Sequence, residues 1–202
     1  MIRAFVAITP PVAVCDALIA AQEGLPQGWR AADEAQFHLT LVFLGALSRP
    51  DLEDVALALA ALRGAPFRLQ LSGFGAFGGA EPRTLWAGFA PCPALAALQA
   101  QVAQAARGAG VEIERRRFTP HLTLARTQGR PGRVETERWI ARHAGLDGPE
   151  WVVNAFGLWR SELGRHGAVH TLLDEYPLGC PGLNADGPGD VPRARRRRLR
   201  TV

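Results

Sequence analysis

The tetrapeptide His-Leu-Thr-Leu occurs twice in this chain, at residues 38–41 and again at 121–124. In an extended strand, side chains two residues apart share a face about 7 Å apart. Each copy therefore presents an imidazole and a hydroxyl to one side and two leucines to the other. The leucines demand a core beneath the strand, and the polar face is left to be used. Recurrence after 83 residues, counted from His38 to His121, predicts an approximate duplication. Each half should then hold strands and an intervening helix, although outside the motifs the halves do not visibly align. Two such strands facing each other give one cleft with two histidines and two threonines, a set suited to acid/base chemistry on a phosphate. A single copy carries far less, because strands favour threonine anyway.

Hydrophobic alternation predicts strands over residues 2–8, 37–44, 67–74, 84–89, 118–125, 151–159 and 169–176. Helices fall between them. Pro11 opens one running to about Gln22, and Ser48 with Asp51 three residues later forms a capping arrangement for a helix ending near Arg63 and Gly64. Pro93 starts a third, closed by Gly108, with Leu95, Leu98, Val102 and Ala106 on one face. A fourth covers residues 134–144. Strands and helices in this order give an α+β fold.

With 202 residues, 48% of them hydrophobic and 21% charged, the chain is long enough for one compact unit or two small lobes sharing an interface. The longest strongly helix-forming apolar run, residues 55–62, is far short of the roughly 20 residues that cross a bilayer. The first eight residues alternate like a strand and lack a signal-peptide cleavage region, so the expected location is the cytoplasm and no membrane is involved. Cys15, Cys92 and Cys180 are odd in number and widely spaced, which fits reduced thiols better than a disulfide framework or a zinc knuckle.

All 23 basic residues are arginine. Residues 181–202 hold six of them and two of the 19 acids, which leaves the body with 17 of each. The basic balance therefore belongs to a terminal segment, and the body can meet nucleic acid only through a local patch. From Pro181 onward Gly, Pro, Asp and Arg dominate without apolar periodicity, so this Arg-rich tail is expected to be disordered and residues 1–180 to form the folded domain. The tail is either a solvated terminus or a weak electrostatic attachment to RNA.

Residues 37–45, Phe-His-Leu-Thr-Leu-Val-Phe-Leu-Gly, and 118–126, Phe-Thr-Pro-His-Leu-Thr-Leu-Ala-Arg, together resemble the two-histidine phosphoesterases. The closer likeness is to bacterial RNA 2′,3′-cyclic phosphodiesterases, also called 2′-5′ RNA ligases. Residues 3–8, 82–86, 160–163 and 176–178 fit the same family, so the resemblance spans about residues 2–178. It implies two lobes related by a pseudo-twofold axis, with antiparallel sheets lining a central cleft and helices outside. A reaction without metal or other cofactor is also implied, on RNA ends or nucleotides carrying a 2′,3′-cyclic phosphate.

Opening such a phosphate requires a proton taken from water and one given to the departing ribose oxygen. With pKa values near 6.5, one histidine can be neutral and the other protonated close to pH 7. His121 is assigned as base and His38 as acid. Thr40 and Thr123 can donate to the non-bridging oxygens as charge builds there. Arg126 can hold the phosphate from one side only, since the matching position after His38 is Phe43. Strict alternation turns Arg126 away from His121, so a strand end or bulge after Leu124 is required. Trp86, Phe37 and Phe118 are candidates for stacking a base and Arg83 for touching substrate, with core packing the alternative for the aromatic rings. Arg115, Arg116 and Arg117 either follow an RNA backbone or form a solvated turn. His143, His166 and His170 lack a third ligand of metal-site type and read as structural or exposed. The expected protein is a monomeric hydrolase of 2′,3′-cyclic phosphate ends that leaves 2′-phosphates, with 2′-5′ ligation as the related reverse reaction. Alternatives are a phosphodiesterase for another small cyclic or 2′-5′ linked nucleotide, and an RNA-end or nucleotide binding module without turnover.

Overall fold

The structure, a computed structural model, describes residues 1–114, 117–145, 147–164 and 167–179. Arg115, Arg116, His166, Cys180 and the Arg-rich segment 181–202 lie outside the described residues. The elements run β1 (Ile2–Ile8), α1 (Val12–Gln22), β2 (Trp29–Ala31), a 3₁₀ turn (Glu34–Gln36), β3 (Leu39–Leu47), α2 (Arg49–Ala60), β4 (Phe67–Phe77) and β5 (Thr84–Phe89). They continue with α3 (Pro93–Gly108), β6 (Leu122–Thr127), α4 (Arg133–His143), β7 (Asp147–Val153), β8 (Ala155–Gly164) and β9 (Gly167–Pro177).

Local chemistry explains the helix boundaries. The Ser48 hydroxyl accepts from the Asp51 amide while the Asp51 carboxylate takes the Ser48 amide, a reciprocal cap that fixes the start of α2. Pro93 occupies the first turn of α3, where a missing N–H costs nothing, and Leu95, Leu98, Val102 and Ala106 are all buried. These two helices pack on each other, and α3 also covers β3.

Every strand pairing among the described residues is antiparallel. The strands form a sheet of order β7-β4-β5-β6-β3-β1-β8-β9, with β2 added beside β6. The order reads the same from either end: β6-β5-β4-β7 mirrors β3-β1-β8-β9. The α+β class, the pseudo-twofold lobes and the outer helices agree with the sequence expectation.

The lobes are not consecutive chain segments, however. The strand after α2, β4, leaves β1 and β3 to pair with β5, while β8 returns past α4 to pair with β1. The continuous strand expected over residues 151–159 is accordingly two strands. The chain breaks at the exposed Asn154, and β7 and β8 serve opposite ends of the sheet. Local alternation persists through the break, which is why sequence periodicity does not reveal it.

Candidate active site

Within the sheet the two lobes join at one residue pair, Leu39 opposite Leu122. These are the second residues of the two tetrapeptides, so the pseudo-twofold relation is written into the register itself. Both leucines are buried, and their polar neighbours take the opposite face. Carrying the antiparallel register one step either way sets His38 toward Thr123 and Thr40 toward His121. The two threonines are half-buried, at the starts of β3 and β6.

The histidines themselves lie just before the strands, a correction to the expected spans 37–44 and 118–125. The Phe37 amide is spent closing the 3₁₀ turn on the Glu34 carbonyl, and Pro120 has no amide to give to a ladder. Each imidazole is instead anchored by the same local bond. Nδ1 of His38 donates to the Gln36 carbonyl at 2.7 Å, and Nδ1 of His121 donates to the Thr119 carbonyl at 2.8 Å. A carbonyl only accepts, so both Nδ1 atoms carry the hydrogen and both Nε2 atoms keep their lone pair when neutral.

Arg126 reaches the same face through a bulge. Along β6, Ala125 pairs with Leu85 but Thr123 pairs with Trp86, so Leu124 is the extra residue. Leu124 and Ala125 are consecutively buried, and alternation restarts with Arg126 exposed. The unpaired Leu124 carbonyl accepts from the Ala32 amide and from Gln22 Nε2, both at 2.9 Å. β3 carries the matching bulge: Val42 pairs with Val6 and Thr40 with Ala7, leaving Leu41 extra. Phe43, 69% exposed, thus occupies the position in its lobe that Arg126 holds in the other. Of these two matched positions, one holds a cation and the other an aromatic ring.

Burial and charge set the protonation states. His38 is pushed down to about 4, chiefly by burial and next by the nearby His170, with smaller contributions from His121 and Arg126. Its hydrogen bond to Gln36 acts in the opposite sense. Burial also lowers His121, with Arg126 adding to the effect against the bond to Thr119. In the free protein both imidazoles are therefore neutral at pH 7, which corrects the expectation of one neutral and one protonated ring. The sequence shows the two residues but not their desolvation.

Aromatic walls frame each histidine. His38 contacts Phe5, centroids 4.9 Å apart, and meets His170 edge-on at 5.0 Å. Phe5 also stacks beside Trp159. His121 meets Phe77 edge-on at 4.8 Å, with Trp86 at 6.4 Å. Trp86 lies across Gly75 of β4, where a Cβ would run into the indole. It is half-buried beside the histidine, both a packing residue and a wall of the cleft.

The other predicted contacts divide. Phe37 is 4% exposed and belongs to the core, which takes the packing alternative for this ring rather than the stacking one. Phe118 is half-buried against the core. Arg83 is exposed at the start of β5, within 3.7 Å of the Glu81 carboxylate. Among the residues the sequence did not single out for the site, Phe5, Phe77 and Trp159 come from distant strands that only the fold assembles. His170, expected to be structural or exposed, is corrected to a cleft residue against His38 and Phe5, both far from it in the chain. Among the described residues there is no grouping of three His, Cys, Asp or Glu suited to a metal, and no helix is long and apolar enough to cross a membrane.

Residues 10–165 match the family model described as the 2′-5′ RNA ligase superfamily. A Thermus thermophilus protein named RNA 2′,3′-cyclic phosphodiesterase is 37% identical, over 94% of this chain and 98% of that one. Among solved structures, one from Thermus thermophilus superposes with a TM-score of 0.74 at 32% identity, covering 87% of this chain and 97% of that chain. E. coli LigT complexed with 3′-AMP gives a TM-score of 0.68 at 26% identity, covering 88% and 97%.

Proposed function

Starting from a chain that belongs to the 2′-5′ RNA ligase superfamily, we propose that it hydrolyses 2′,3′-cyclic phosphate ends of RNA or nucleosides to 2′-phosphates. The observation that carries this reading is the matched pair of imidazoles. Each is anchored through Nδ1 to a carbonyl two residues earlier, and Nε2 is left for proton transfer on either side of one cleft. The relatives' name and the 3′-AMP complex of LigT support the same substrate class.

In this mechanism His121 takes a proton from the attacking water, the new P–O bond forms, and the P–O3′ bond breaks. His38 gives a proton to O3′, and the phosphate stays on O2′. Thr40 and Thr123 donate to the non-bridging oxygens, and Arg126 holds the phosphate from the β6 side. The acid must arrive protonated although His38 is neutral in the free protein. Binding supplies the correction: at about 4 Å and an effective dielectric near 20, unit charges interact by about 4 kcal/mol, or roughly 3 pKa units. A bound phosphate monoanion is therefore enough to lift His38 from about 4 to near neutrality. His38 is the residue that needs this rise most.

Both proton transfers are assigned to side chains, so turnover is expected to persist in a metal chelator. The protein is read as a cytoplasmic monomer whose catalytic unit lies within residues 1–180. Incubation of the purified chain with a nucleoside 2′,3′-cyclic phosphate should give the 2′-phosphate. His38→Ala and His121→Ala should each lose about 10² to 10⁴ in rate. A 3′-phosphate product reverses the bond assignment, and retention of bound nucleotide without turnover favours a binding module.

A further inference from the structure

Beside the catalytic face lies a second pocket of about 530 Å³, lined by Arg30, Asp33, Gln36, Gly167, Val169 and His170 among others. His170 belongs to both regions, since the same ring meets His38 edge-on. The pocket thus adjoins the cleft on the side of β9, with His170 as a shared wall.

Arg30 is its cation. It stands directly opposite Arg126 in the β2–β6 pairing, and directly paired residues project to the same face. That is the face on which the Leu124 bulge has set Arg126. Two like charges opposite each other cost stability, and neither arginine makes an ion pair among the described residues. On the far side, Gln36 Nε2 donates to the Ala168 carbonyl, tying the 3₁₀ turn to the start of β9 and holding the pocket's shape. Asp33, the one carboxylate in the lining, has Oδ1 engaged by the Ala35 amide.

An arginine pair with no ion-pair partner among the described residues, leading from a phosphate-holding cation into a pocket, matches a ligand with phosphates in series. We infer that Arg30 binds the phosphodiester immediately upstream of the cyclic end, with the pocket receiving part of the preceding nucleotide. This rests on the cyclic-phosphate reading above and adds a consequence to it: an oligonucleotide end is preferred over a free nucleoside cyclic phosphate, and Arg30 sets that preference.

The test compares three substrates on the full chain: a nucleoside 2′,3′-cyclic phosphate, a dinucleotide ending in the same group, and that dinucleotide with a neutral methylphosphonate linkage. The wild type should favour the charged dinucleotide by about tenfold in kcat/KM, on the order of one charge-assisted hydrogen bond, and the neutral linkage should erase the gain. Arg30→Gln should bring the dinucleotide down to the mononucleotide value, flatten its salt dependence, and leave mononucleotide turnover unchanged. Equal loss on both substrates, or no wild-type preference for the charged linkage, overturns the subsite while leaving the cyclic phosphodiesterase intact. No wild-type turnover of any of the three overturns the function and the subsite with it.

Discussion

At the scale of single residues, the two histidines are set by burial as much as by hydrogen bonds, and this fixes the pH behaviour. In the proposed mechanism the histidine pair needs one proton. In the free enzyme both rings are held below their ordinary value, so the singly protonated form declines as pH rises above that lowered range. The value of kcat/KM, which reports the free enzyme, should therefore peak below pH 6.5 and fall toward pH 8. The value of kcat should hold to higher pH, because the bound anion raises the acid. A kcat/KM optimum at or above pH 7 contradicts the desolvated pair. The same lowering acts on folding. The unfolded chain binds a proton at His38 near pH 6.5 while the folded chain resists until about 4. The contribution is thus full above pH 6.5 and is lost as pH falls through that window. Urea midpoints measured from pH 7 to pH 4 should drop less steeply in His38→Gln than in the wild type.

At the scale of elements, the bulges at Leu41 and Leu124 and the glycine under Trp86 do the positioning. A bulge shifts alternation by one residue, and without it Arg126 would point into the core. The Gln22 amide, at the end of α1, spans the Ala32 and Leu124 carbonyls at 2.8 and 2.9 Å and so holds the bulge from behind. Gly75 leaves room for the indole that stands beside His121. Gly75→Ala should displace that ring, cost about 1–3 kcal/mol as overpacking, and reduce kcat/KM on a cyclic nucleotide while His38 keeps its titration. Unchanged tryptophan fluorescence and kinetics in this variant count against the wall assigned to Trp86.

At the scale of the whole molecule, the exchange of β4 and β8 between the lobes makes each half depend on the other. The halves also share the Leu39–Leu122 junction and the packing of α3 on β3. A fragment ending at residue 77 lacks the partners of β4 and should not fold alone. Unfolding should be one cooperative transition, with tryptophan fluorescence and far-ultraviolet dichroism giving coincident curves in urea. Two separated transitions would mean that the lobes are energetically independent.

His38, Thr40, His121 and Thr123 were legible in the sequence because a period of two and an identical tetrapeptide are local signals. The helices of residues 11–22 and 93–108 were legible for the same reason, through caps and one-sided apolar spacing. Even the need for a strand end or bulge after Leu124 followed from counting alternation, and the structure decided for the bulge. Which strand pairs with which is decided by contacts between residues far apart in the chain, and no local period records them. Hence the crossing of β4 and β8, the break at Asn154, the approach of His170 to His38 and the burial that lowers both histidine rings belong to the tertiary structure. Sequence alone determined which groups are available for the chemistry; their protonation and their neighbours are properties of the space that folding encloses.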